Sequence, residues 1–214
     1  MAQRIDLFWS FRSPYSYLAT PGAVKLEQDF DVEVRFRPVL PLAVREPDFF
    51  GPANVRRARY IQLDWVRRAE MKGMAHAWPS PDPIVQDLTT FRISPEQPYI
   101  YRLTYLGVEA ERRGRGIEFA YEVSHVIFGG MRDWHLGDHV ASAAKRAGLD
   151  LAEMDSAIAE PVSHRAEVEA NQQALLDARH WGVPTFVFDD EPFFGEDRID
   201  TLRWRLEQRG LRKS

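Results

Sequence analysis

Ser13 is the first residue whose type and setting could do chemistry, because it follows the apolar run Ile5 to Trp9 and stands directly before Pro14. Serine is a favoured helix N-cap whose oxygen accepts an orphan backbone N–H, and proline suits the first helical position, where its missing N–H is not needed. The Ser13 hydroxyl is therefore expected at the positive end of a helix dipole, where free N–H groups stabilise a thiolate or another anion. The same pattern also describes a plain helix cap. Far along the chain, Val183-Pro184 precedes the strand-like Thr185-Phe186-Val187-Phe188. A cis bond at Pro184 would leave the backbone polar groups of Val183 free to pair with a peptide-like ligand in strand fashion.

The chain holds no cysteine. Any thiol chemistry therefore needs a sulfur that arrives with a ligand, and disulfide oxidoreductase activity is excluded. Two rival chemistries are weaker. His135 and His139 have a spacing that can put two imidazoles on one helix face for a metal, but Gly137 interrupts that helix and no third ligand stands nearby. Ser13 also lacks the Gly-x-Ser-x-Gly elbow of a serine hydrolase.

The elements that must position these residues can be read from periodicity and punctuation. Ile5 to Trp9 is a strand, too short for a buried helix. The helix opening at Ser13-Pro14 meets Pro21-Gly22 two turns later and must either bend or stop there. Asn54 is placed to cap a helix from Val55 to about Met71, with Ala58, Ile61, Trp65 and Ala69 at helical spacing and a basic face of Arg56, Arg57, Arg59, Arg67 and Arg68, either solvated or a binding patch for an anionic ligand. The stretch from Gly73 to Pro98, broken by Pro79, Pro81, Pro83 and Pro95, is expected to be an irregular loop over the surface or the active site. Ser94-Pro95-Glu96-Gln97 reads as a capping box that starts the next helix. Further helices are expected from Gly116 to Phe128, from Asp138 to Ala147, from Asp150 to Pro161, and from Ser163 to Trp181-Gly182.

This order is that of an α/β, thioredoxin-like fold with a large all-helical insertion. Residues 1–50 and 163–214 would form the thioredoxin-like domain and 51–162 the helical insertion domain. A chain of 214 residues can bury such a core. Its formal net charge of -4 argues against nucleic acid or an acidic membrane surface as partner. No stretch approaches 18 apolar residues, and the N-terminal residues run straight into a strand, so a cytoplasmic location is expected.

Three motifs in this order, Ser13-Pro14-Tyr15-Ser16-Tyr17-Leu18-Ala19, Gly182-Val183-Pro184-Thr185-Phe186 and Phe194-Gly195-Glu196-Asp197-Arg198, carry a family resemblance. The chain resembles the 2-hydroxychromene-2-carboxylate isomerases, which are similar to the kappa-class glutathione transferases and share their DsbA-like fold. The resemblance implies that Ser13 hydrogen-bonds the glutathione sulfur and favours its thiolate. It implies that Val183, before Pro184, binds the cysteinyl part through its main chain. It places the γ-glutamyl end at Glu196, Asp197 and Arg198, and offers Arg57 to the glycine carboxylate. It further implies a homodimer and a small aromatic carboxylate as substrate. Two positions depart from the family pattern: Ser10 stands where an aspartate is usual, and Asp48-Phe49-Phe50-Gly51-Pro52-Ala53-Asn54 replaces a Gly-Asn-x-Pro-Pro stretch. A kappa-like transferase and a non-catalytic binding protein of the same fold are the alternatives.

Overall fold

A computed structural model describes residues 3–50, 55–87, 89–90 and 92–213. The sheet holds four strands in the order β2-β1-β3-β4, with β1 (Gln3–Trp9) parallel to β2 (Val32–Pro38) and antiparallel to β3 (Thr185–Phe188), which pairs antiparallel with β4 (Glu191–Phe194). Because β1 is central, both of its faces are covered. Ile5, Leu7 and Trp9 join the main core with residues of α1 (Pro14–Asp29) and α9 (Ile199–Gln208), whereas Phe8 packs with Val39 and with Leu175 of α8 (Val162–Asp177). This alternation is the period-two pattern of a strand sandwiched between helical layers.

The helix opened by Ser13 does not stop at Pro21. It runs unbroken to Asp29, and the Thr20 hydroxyl donates at 2.7 Å to the Tyr17 carbonyl that Pro21 cannot reach with an N–H. Gly22 then lets α9 approach: a Cβ there would lie 2.7 Å from Ile199 Cδ1.

Between β2 and α8 the chain is helical, as expected. It contains the short α2 (Leu42–Arg45), α3 (Val55–Lys72), α4 (Ile100–Arg112), α5 (Gly116–Phe128), α6 (His139–Arg146) and α7 (Leu151–Ala157). No helix among the described residues is long and apolar enough to cross a membrane. The proline-rich stretch is irregular and tied down: the Tyr17 hydroxyl donates to the Ala75 carbonyl at 2.6 Å, and the Trp134 indole N–H donates to the Pro81 carbonyl at 2.7 Å.

Three local expectations need correction. The capping box does not form; the Gln97 amide instead takes both backbone groups of Val85, each at 2.8 Å, and α4 begins three residues later. Helix α8 starts at Val162, one residue before the expected cap, while Ser163 accepts from Arg112. It also ends at Asp177, well short of Trp181, where Arg179 turns the chain with φ 62°. The Asn54 cap lies outside the described residues.

One buried carboxyl couples this fold to pH. Glu111 on α4 accepts the Phe36 N–H of edge strand β2 at 3.1 Å, and burial pushes its pKa from 4.5 up to about 7. In the folded chain it therefore holds a proton that the unfolded chain has already released. The stabilising contribution of this neutral form is complete below about 4.5 and is lost as pH rises through about 7. Glu111→Gln should flatten that decline, worth about 1–2 kcal/mol after allowance for partial exposure. Thermal midpoints of both proteins between pH 4.5 and pH 8 would show it, and parallel curves would refute it.

Candidate functional site

The N-terminus of α1 opens into a cavity of about 870 Å³. Ser13 adopts the extended conformation of an N-cap, with φ -90° and ψ 114°, and its Oγ accepts the Ser16 N–H at 3.1 Å. Its proton points across the site: the hydroxyl donates to the Val183 carbonyl at 3.3 Å, a long bond that a better acceptor can displace. The Val183-Pro184 bond is cis. Neither the Val183 N–H nor the Tyr15 N–H has a hydrogen-bond partner among the described residues, and both residues line the cavity. Ser13, a helix start and an unpaired strand-like N–H thus converge, as an anionic sulfur on a peptide backbone would require.

The walls are aromatic. Tyr15, Phe49, Tyr60, Trp78, Trp181 and Phe194 face the space, with Phe49 and Trp181 in contact at 4.9 Å between ring centroids. Asp64, also lining the cavity, accepts from the Tyr15 hydroxyl at 2.8 Å, the Tyr60 hydroxyl at 3.2 Å and Arg67 Nε at 3.0 Å. Burial works to raise the Asp64 pKa, but these donors outweigh it and hold the carboxyl below its ordinary value. Burial and that same carboxylate drive the Tyr15 phenol far upward, so it stays protonated. Beside Ser13, Arg12 forks onto Asp82 with bonds of 3.1 and 3.0 Å and lies 5.3 Å over the Trp78 ring. The cation next to Ser13 is therefore already paired.

Of the residues expected to bind a ligand, Ser13, Val183, Arg57, Glu196 and Asp197 all border the cavity. Pro184 is buried behind it, and its carbonyl takes the Gly195 N–H at 2.9 Å, which ties the cis turn to the 195–198 turn. Arg198 does not border the cavity and lies 3.5 Å from Asp197. Glu196 differs from expectation in kind. It is only 4% exposed, and its carboxylate is held by Arg68 at 2.5 Å and Lys72 at 2.9 Å. Asp197, half-exposed and beside Arg198, is the carboxylate of this turn that stays open to the cavity. Arg57 lies 4.8 Å over the Phe49 ring, and neither it nor Arg56 has a carboxylate partner among the described residues.

Sequence reading did not pick out Asp64, His180, Trp78 or the Arg12–Asp82 fork. The Arg12–Asp82 fork joins residues 70 apart, whereas Asp64 lies four residues after Tyr60 and three before Arg67 on one helix face, Trp78 donates to Asp82 four residues on, and His180 accepts from Gly182 two residues on, so these three left local traces. His135 packs its ring 4.8 Å from that of Tyr99, and no group of three metal-ligating side chains occurs among the described residues.

Comparison with known proteins agrees with this fold. The chain is 23% identical over 207 residues to a 2-hydroxychromene-2-carboxylate isomerase of Pseudomonas putida, covering 92% of this chain and 91% of that one. The solved structure of a 2-hydroxychromene-2-carboxylate isomerase superposes with a TM-score of 0.72 at 20% identity, covering 96% of this chain and 95% of that one. The cytosolic disulfide reductase DsbM from Pseudomonas aeruginosa with GSH superposes with a TM-score of 0.58 at 14% identity, over 95% of this chain and 99% of that one. The family model of the DSBA-like thioredoxin domain matches residues 4–207, and the chain belongs to that family.

Proposed function

We propose that the cavity binds glutathione and that the protein is a glutathione-dependent isomerase of hydroxychromene-carboxylate-type aromatic compounds. The observation that carries this reading is the Ser13 hydroxyl, held at the start of α1 and 3.3 Å from the carbonyl before Pro184, at the edge of an aromatic-walled cavity. The residues present fit the tripeptide: the unpartnered Val183 N–H suits a backbone carbonyl, Asp197 an ammonium, and Arg57 or Arg56 a carboxylate. Relatives named as isomerases across nearly the whole chain support the reaction class.

Glutathione supplies a nucleophilic sulfur that adds to the substrate and leaves again unchanged. The chain supplies the rest. Ser13 turns its proton from Val183 toward the sulfur, and the Tyr15 N–H and the helix dipole add to the stabilisation of negative charge, lowering a thiol pKa of about 8.5. Tyr15, its O–H donating a hydrogen bond to Asp64, presents lone pairs to a substrate hydroxyl. Trp78, Trp181 and Phe194 exclude water and stack on a planar ring.

Calorimetric titration tests the reading. Reduced glutathione should bind saturably, and Asp197→Ala should weaken it about tenfold, the worth of one charge-assisted hydrogen bond. No heat at millimolar glutathione would overturn the proposal. In turnover with a hydroxychromene carboxylate, glutathione should be recovered in full; its stoichiometric consumption with chlorodinitrobenzene would instead mark a transferase.

A further inference from the structure

The backbone of residues 181–184 is fixed from several directions. Arg45 donates to the Trp181 carbonyl at 2.9 Å, the Thr185 hydroxyl to the Gly182 carbonyl at 2.8 Å, Ser13 to the Val183 carbonyl at 3.3 Å, and Gly195 N–H to the Pro184 carbonyl at 2.9 Å. The one side-chain acceptor in this set is His180, whose Nδ1 takes the Gly182 N–H at 3.0 Å. Thr185 Oγ1 also lies 3.4 Å from Nδ1, but its proton is committed to the Gly182 carbonyl. Nδ1 must therefore be unprotonated, and the ring proton sits on Nε2. The imidazole is clamped between rings, 5.2 Å from Trp181 at an interplanar angle of 20° and 4.2 Å from Phe194 at 32°. Trp181 and Phe194 are themselves cavity walls.

From this geometry we infer that His180 is the positioning residue for the ligand-facing Val183 turn, and that a proton on Nδ1 releases the turn. A second ring proton would face the Gly182 N–H donor to donor, one residue before the Val183 N–H that stands unpaired in the cavity wall. The charged groups on the surrounding elements are engaged elsewhere: Arg45 on two backbone carbonyls, Arg57 over Phe49, Asp197 with Arg198, and Glu196 with Arg68 and Lys72. Burial is the larger influence on the His180 pKa and, against an opposing contribution from the Gly182 backbone, holds it below its ordinary value, which keeps the acceptor form at neutral pH. As a determinant of glutathione affinity His180 rests on the proposed function; as the residue that sets the turn it does not.

Two readouts separate these. In ¹⁵N-labelled protein titrated from pH 8 to pH 4.5, the Gly182 and Val183 amide resonances should shift with the midpoint of the His180 imidazole, which should lie below about 6.5. His180→Asn, whose amide oxygen can accept in place of Nδ1, should keep the pH 7 amide positions and lose the titration; His180→Leu should displace them at every pH. S-methylglutathione, which has no thiol to ionise, should bind wild type about tenfold more weakly at pH 5 than at pH 7, but His180→Asn about equally at both. Amides that ignore the His180 titration, or a His180→Leu protein with the native turn, would overturn the inference. Absence of S-methylglutathione binding at every pH, with the amides still titrating, would overturn the glutathione reading and leave His180 as the residue that sets the turn.

Discussion

Ser13→Ala is expected to lower turnover by about 10²–10³-fold while leaving the melting temperature within a few degrees of wild type, the range seen when one preorganised donor to a developing anion is removed. The substitution removes the side-chain hydroxyl that meets both the α1 start and the Val183 carbonyl. It also frees the Ser16 N–H, so a lost cap of about 1 kcal/mol accompanies the catalytic loss. The two effects separate cleanly in measurement. The pKa of bound glutathione, followed by thiolate absorbance, should return toward about 8.5 in the variant, whereas loss of the cap would not move it. A variant that isomerises at the parental rate would remove Ser13 from the chemistry.

The second large effect is on stability. Glu196→Ala should cost about 2 kcal/mol, a drop of about 5 °C in thermal midpoint for a chain of this size. Glu196 is nearly fully buried while Arg68 and Lys72, on α3, are partly open to water. Removing the carboxylate leaves two cations facing each other across a void, but both can turn toward solvent, so the cost falls below that of a wholly buried pair. Because the pair joins α3 to the 195–198 turn, glutathione affinity should fall together with stability. Urea unfolding of wild type and variant at pH 7 would show the change, and coincident curves would mean the three charges contribute nothing net.

Much of the scaffold was legible from local signals. Ser13-Pro14 opens α1, α3, α5 and α6 fall where periodicity and caps put them, α7 opens at its Asp150 cap but ends at Ala157, short of Pro161, and Val183-Pro184 leads into β3. What escaped was decided by partners distant in sequence. Gln97 looks like part of a capping box, but the backbone of Val85 competes for its amide and wins. Gly182 looks like a helix terminator, yet α8 has already ended; the glycine is needed because the Phe194 ring leaves no room for a Cβ. The basic stripe of α3 left a solvated face and an anion-binding patch both open; Arg56 and Arg57 are exposed yet border the cavity, and Arg68 meets Glu196 in the last quarter of the chain. Pro21 left two outcomes open, and the neighbouring Thr20 hydroxyl decides between them.

The segment from Arg12 to Tyr17 does more than present Ser13. Arg12 holds Asp82, Tyr15 holds Asp64 and Tyr17 holds Ala75, so every second or third residue of one short stretch reaches into the helical region between β2 and α8. The consequence is that the two parts of the protein are not interchangeable modules. A different helical region, grafted between the same strands to admit another substrate, would have to bring its own partners for Arg12, Tyr15 and Tyr17. Without them the turn that carries Ser13 would lose its bracing, and diversification of substrate range is confined to positions that leave these three attachments intact.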